Sequence, residues 1–211
     1  MSTPGKRPGP AQDRWYAADA GRLLGALLVP ASWLVAGWPA AAAMLLVCGG
    51  QWLLRWYLLG RPADAVGQLV LLAAGWFSAV GLYHQVSWLD AVMHALASLV
   101  VALLVAELLG PMLLRAELLV PRGLRAVVLV GATVTLGVVW ELGEWLGHTY
   151  ITPEIGVGYE DTIGDLAANF IGAVLGAAVR SRHTRQGDAY RSSGNGRRRY
   201  SAMASGHGSR R

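Results

Sequence analysis

Acidic and histidine side chains recur at helical spacing in three apolar segments in the second half of the chain. These sets are Asp90-x3-His94, Glu141-x2-Glu144 and Asp161-x3-Asp165-x3-Asn169. Residues three or four apart lie on one face of a helix, so each set can present its oxygen and nitrogen atoms together. Carboxylate and imidazole groups bind divalent cations and exchange protons, and both kinds of chemistry are open to these residues.

The segments that carry these residues have the composition of membrane spans. Of the 211 residues, 54% are hydrophobic and 15% are charged, whereas a soluble domain has about 25% charged residues. Apolar runs of about 18 residues or more recur, which is the length that crosses a bilayer. The sequence predicts an all-α, polytopic membrane protein with about six transmembrane helices, at residues 21–38, 40–59, 65–83, 89–109, 124–146 and 161–180.

Proline and glycine mark the connections between these spans. Trp38-Pro39 leaves a very short first connection, so spans one and two are expected to form a tight hairpin. The segment 111–121 is too short to cross and is expected to lie in the interface. Residues 1–20 form a polar tail and residues 21–180 the transmembrane domain. Residues 181–211, in which Arg alternates with Ser and Gly, form a basic tail that is predicted to be disordered because it cannot bury a core.

The distribution of basic residues predicts the orientation. All 18 Lys and Arg residues lie in the two tails, at the start of span one, around the second and fourth connections, or at the end of span six. The positive-inside rule then places both termini in the cytoplasm and the three polar sets at the extracytoplasmic ends of spans four to six. A cytoplasmic polybasic tail attracts anionic membrane lipids. Nucleic acid is disfavoured as a partner, since no folded binding module accompanies the charge.

Seven of the 13 acids fall on the extracytoplasmic side, where His84, His94 and His148 are the only side chains that can become cationic. Buried unpaired carboxylates are costly, so these groups need a proton, water or a bound cation. The candidate metal ligands are Asp90, His94, Glu141, Glu144 and Asp165. The other predicted pocket residues are Asp161, Asn169 and His148.

Several of these residues also have structural interpretations. Asp161 and Asp90 can serve as helix N-caps, and Glu144 and His148 can simply be solvated near the interface. His84 is expected at the surface, and Glu107 is expected to pair with Arg115. A stripe of small residues in span six predicts close packing against spans four and five: Gly164, Ala168, Gly172 and Gly176.

Part of the pattern resembles a known family. The order Asp-x3-His, then Trp140-Glu141, then Asp165-Leu166-x2-Asn169-x2-Gly172 resembles the VanZ-like membrane proteins. The fuller strings WELGEW and GYEDTIGDLAANFIGA look closest to the related YjdF-like bacterial inner-membrane proteins. The resemblance covers about residues 80–180, although Glu144 stands where VanZ-like proteins have Gln. It implies a multi-pass protein of the bacterial cytoplasmic membrane with a role in the cell envelope.

Three functions are compatible with the polar sets. The first is a divalent metal site, at which a metal-bound water could hydrolyse a lipid-linked or envelope substrate. The second is proton-coupled transport or ligand binding through the same carboxyls. The third is a hydrogen-bonded network that only fixes helix packing. The metal site is the leading hypothesis, because the acids face no Lys or Arg.

Overall fold

The computed structural model describes residues 14–58, 60–115 and 121–206, and the regular structure of these residues is entirely helical. In chain order the helices are α1 (Ala18–Leu58), α2 (Pro62–Ala79), α3 (Leu82–Gln85), α4 (Leu89–Arg115), α5 (Arg122–Tyr150) and α6 (Tyr159–Gly206). The predicted all-α class is therefore confirmed. Parts of the predicted N-terminal tail and of the interfacial segment 111–121 lie outside the described residues, and α4 continues through Pro111 to Arg115.

Helix α1 is a hairpin of two antiparallel arms, residues 18–35 and 38–58. Asp19 and Arg55 are 36 positions apart, which in a straight helix is about 54 Å, yet their side chains form an ion pair. The chain reverses at Ala36 and at Gly37, whose φ of 77° and ψ of −174° suit only glycine. The predicted hairpin is present, and its reversal precedes the predicted Trp38-Pro39 connection.

Helix α2 packs antiparallel to the second arm of α1. Gly67 approaches the Leu54 side chain, and Gly75, two turns later, approaches Val47 and Met44. Pro62 occupies the first turn, where its missing N–H costs nothing. A core of buried apolar side chains joins these helices to α4: Leu54, Leu58, Val70, Met93 and Val100.

Helix α6 lies against α4 through Gly172 and Gly176 of the predicted stripe of small residues, whereas a side chain at Gly164 would meet nothing within 4 Å. A side chain at Gly172 would meet the backbone oxygen of Ala95, and one at Gly176 would meet Ala102 and Leu99. Asn169 lies between two helices, because Ser98 of α4 donates a hydrogen bond of 2.7 Å to its Oδ1 and Gly137 of α5 approaches its amide. The part of α6 before residue 178 therefore contacts both α4 and α5, as predicted.

The backbone beyond residue 177 forms a separate unit. It is helical through Gly206, whereas the composition of residues 181–211 predicts disorder. Arg, the most frequent residue of this stretch, is a good helix former, whereas the Ser and Gly between the arginines are weaker ones, so local preference alone does not account for the helix.

Four of the described helices are long and apolar enough to cross a membrane: α1, and the segments Leu89–Gly110, Gly123–Tyr150 and Tyr159–Arg182. Helix α2, with 18 residues, is not among them. Large apolar side chains on the outer surfaces of the helices are exposed, and the exposed fraction reaches 87% for Leu34 and 70% for Leu69. Such a surface is suited to lipid rather than to water.

Candidate metal centre

Three helices bring the predicted ligands together. Asp90 and His94 lie in the first two turns of α4, Glu141 and Glu144 lie in the last third of α5, and Asp165 lies two turns into α6. Each pair on one helix is about one turn apart, so both members face the same neighbour. Because α6 contacts both α4 and α5, the three polar faces converge on His94.

The His94 ring is surrounded by carboxylates from all three helices. Its Nε2 atom lies 3.6 Å from Asp90 Oδ1 and 3.8 Å from Asp165 Oδ2. Its Nδ1 atom, on the other edge of the ring, lies 3.6 Å from Glu141 Oε1. These separations are too long for good hydrogen bonds. Two ligands that share a tetrahedral cation at about 2.1 Å stand about 3.4 Å apart, which is close to the separations here.

The five predicted ligands form two overlapping groups. One contains Asp90, His94 and Asp165, and the other contains His94, Glu141 and Glu144. Within each group, one ligand atom from every residue lies within 4.8 Å of the others. His94 belongs to both groups, so the candidate ligands are arranged around it.

Glu141 carries an unsatisfied buried atom. Its side chain is 8% exposed, and Oε1 is buried without a hydrogen-bond partner among the residues that the structure describes. An unpartnered carboxylate oxygen in such a place costs about 1–3 kcal/mol or more unless a cation, proton or donor satisfies it. This atom points at the His94 ring, where a cation or an N–H could do so.

The remaining predicted pocket residues have other surroundings. His148 extends the Glu141 face as predicted, but its Nδ1 lies 2.6 Å from the Ile155 carbonyl oxygen, to which it donates because a carbonyl only accepts. Asn169 lies one turn deeper than Asp165 and is held by Ser98. Asp161 is exposed.

The capping interpretations of two acids were wrong. Helix α6 begins at Tyr159 and α4 at Leu89, so Asp161 and Asp90 lie inside the first turn of their helices rather than at the N-cap. Both still stabilise the positive end of the helix dipole. His84 is exposed, as predicted. Glu107 forms an ion pair with Arg61, and the Arg115 side chain with which it was expected to pair lies outside the described residues.

A second polar cluster, which the sequence reasoning missed, lies where α1 begins and ends and α2 begins. Arg22 pairs with Asp19 and Asp64, and Asp19 also pairs with Arg55. Gln68 donates a 3.0 Å hydrogen bond to Asp64, and Gln51 donates one of 3.1 Å to the Gly21 carbonyl. The sequence does contain a signal for this cluster. The polar residues Gln51, Asp64 and Gln68 lie inside apolar runs, and opposite charges lie at the same ends of successive spans.

An open cavity of about 550 Å³ lies at the opposite end from this cluster. Its lining comes from the α1 reversal, the end of α2, the α3 region and the loop after α5, including Ala36, Ser78, His84, His148 and Glu154. None of the residues around His94 lines it. The cavity is therefore distinct from the cluster of candidate ligands around His94, and it shows that these connections meet at one end of the bundle.

Four described helices that are long and apolar enough to cross a membrane are the mark of a multi-pass membrane protein. The chain belongs to the family of predicted membrane proteins called DUF2238, whose family model matches residues 23–186. No curated protein matches the chain, and no solved structure matches it.

Proposed function

We propose that this membrane protein binds a divalent cation at His94 between α4, α5 and α6. The observation that carries the proposal is the approach of Asp90 and Asp165 to Nε2 of the His94 ring at 3.6 and 3.8 Å, with the buried, unpartnered Oε1 of Glu141 beside the same ring. A divalent cation would replace the mutual repulsion of these carboxylates by their attraction to the cation. Imidazole with carboxylates is a donor set that suits Zn²⁺, Mn²⁺ and Fe²⁺.

The proposed topology has six crossings with both termini in the cytoplasm of a bacterial inner membrane. Helix α2 supports it, because α2 pairs antiparallel with the second arm of α1 and its 18 residues extend about 27 Å. Exposed Trp33, Trp38 and Trp88 near the cavity end, and Trp15 and Trp56 near the other, suit two interfacial belts. The His94 centre then faces the extracytoplasmic side.

The reaction we propose for the centre is hydrolysis of a lipid-linked or envelope substrate. Three protein ligands leave a coordination position for water, the arrangement found in catalytic rather than structural zinc sites. Asp90, whose side chain is 28% exposed, gives the centre access to the membrane surface. The resemblance to VanZ-like and YjdF-like proteins supports an envelope role and is itself part of this proposal.

Proton-coupled transport is the second candidate. It is favoured by the polar track that runs from partly exposed Asp90 through His94 and buried Asp165 to the hydrogen-bonded pair of Asn169 and Ser98. Carboxyl and imidazole groups in such a track can pass a proton inward from the surface.

Metal content of the purified protein separates these candidates. The full-length chain is purified in detergent, incubated with Zn²⁺, Mn²⁺ or Mg²⁺, desalted and analysed by mass spectrometry. We expect a near-stoichiometric metal in the wild type and background levels in Glu141→Gln/Asp165→Asn. The matched control is Glu154→Gln/Glu160→Gln, which removes two exposed acids from the same end and should keep the metal. A wild type that retains no metal under any condition overturns the proposal and leaves proton transfer or a packing network.

A further inference from the structure

We infer that the cation binds on the Nε2 side of His94, held by Asp90, His94 and Asp165, while Glu141 positions the ring through Nδ1. This rests on the proposed function and assigns separate roles to residues that the sequence treats as equivalent ligands. The two ring nitrogens point in divergent directions, so a single cation can bind only one of them.

Carboxylates lie on both sides of the ring, since Glu144 belongs with Glu141 to the second group, but among the described residues two of them lie within 4 Å of a ring nitrogen on the Nε2 side alone. Two carboxylates approach Nε2, Asp90 at 3.6 Å from the same helix and Asp165 at 3.8 Å from α6. Together they carry two negative charges, which balance a divalent cation. The Asp165 side chain is 5% exposed and that of Asp90 is 28% exposed. Asp165 is therefore a buried ligand, whereas water can reach the cation beside Asp90.

The Nδ1 side has the geometry of an orienting contact. A metal-bound histidine usually donates its other ring N–H to a carboxylate or a carbonyl, which fixes the tautomer and the ring orientation. Glu141 Oε1 is in that position, 3.6 Å from Nδ1, buried and without a partner among the described groups. A shortening of about 0.7 Å would give an ordinary N–H···O bond. That bond would satisfy the orphan oxygen and leave the Nε2 lone pair for the cation.

Cobalt absorption distinguishes a ligand from a positioning residue. Co²⁺ is titrated into the full-length protein in lipid nanodiscs, for the wild type, Glu141→Gln, Asp165→Asn and the exposed-site control Glu154→Gln. We expect Asp165→Asn to lose the bound-Co²⁺ spectrum. Glu141→Gln should keep the shape of the wild-type spectrum with affinity reduced about 10–100-fold. Glu154→Gln should match the wild type in both respects.

Histidine ¹⁵N NMR of the Zn²⁺-bound protein gives a readout that a purely structural role for Glu141 would not produce. The chain has five His, and His94→Gln assigns the relevant signal. We expect the His94 proton on Nδ1 and the metal on Nε2. Metal on Nδ1, or a Co²⁺ spectrum altered in Glu141→Gln as much as in Asp165→Asn, overturns the assignment while metal binding itself stands.

Two further outcomes are decisive. If the wild type binds neither Co²⁺ nor Zn²⁺, the proposed function fails and this assignment fails with it. If Glu141→Gln does not purify as a folded protein, Glu141→Asp keeps the carboxylate on a shorter side chain. We expect Glu141→Asp to bind Co²⁺ with an unchanged spectral shape, and a changed shape would make Glu141 a ligand.

Discussion

Arg22 and Asp64 form a buried ion pair across 42 positions of sequence, and this pair joins α1 to α2. The Arg22 side chain is 6% exposed and that of Asp64 is 1% exposed. Arg22 also donates a 2.7 Å hydrogen bond to Asp19, which pairs with Arg55 as well. Two acids and two arginines thus neutralise one another where the arms of α1 meet α2, so this cluster can hold the helices together without a bound ion.

Removal of Arg22 should destabilise the protein strongly. Arg22→Met leaves Asp64 buried without its arginine, and breaking one side of a buried pair costs about 3–5 kcal/mol. The free energy of unfolding in mixed micelles measures the loss. The control is Arg61→Met, which breaks the pair with Glu107 where Arg61 is 51% exposed and should cost less than about 1 kcal/mol. Equal losses in the two variants would contradict a structural role for the buried cluster.

The contact between α4 and α6 should depend on Gly172. A Cβ atom there would overlap the backbone oxygen of Ala95, which cannot move as a flexible side chain could. We expect Gly172→Ala to cost about 1–3 kcal/mol, the usual range for overpacking. Gly164→Ala is the matched control on the same helix, because its Cβ would meet nothing within 4 Å and alanine favours a helix by about 1 kcal/mol. Thermal unfolding of the two variants should therefore shift in opposite directions.

The sequence predicted the helical class, the hairpin and the convergence of three polar sets, because each depends on local spacing. Helical periodicity places Asp90 beside His94, and the small residues of α6 bring Asp165 to the same place. The clustering of these residues could be predicted because each of the three helices carries its polar residues near the same end of the bundle.

The sequence could not separate the roles of the five candidate ligands. Which nitrogen of His94 faces Glu141 depends on the rotation of α5 against α4, and no spacing within one helix contains that information. The Arg22 cluster was missed for a related reason. A positive-inside count treats Arg22 and Arg55 as solvated topology signals, whereas helix packing buries Arg22 against acids from two segments.

Metal binding should stabilise the folded protein. A cation that binds only the native state, at about 100 times its Kd, raises the free energy of unfolding by about 2.7 kcal/mol. We therefore expect added Zn²⁺ or Mn²⁺ to raise the Tm of the wild type and a chelator to reverse the shift. The Tm of Asp165→Asn should not respond to either. A similar metal-dependent rise in Asp165→Asn would place the binding elsewhere in the protein.

Cysteine labelling should establish whether α2 crosses the membrane. In a Cys48→Ala background, a membrane-impermeant maleimide is applied to cells carrying Arg61→Cys or Glu154→Cys, both at exposed positions outside the long apolar segments. With α2, α4 and α5 all crossing, the two positions are separated by three spans and lie on opposite sides. We expect position 154 to react in intact cells and position 61 only after the membrane is opened. Labelling of both on one side would mean that α2 does not cross, and the reverse pattern would place the His94 centre on the cytoplasmic side.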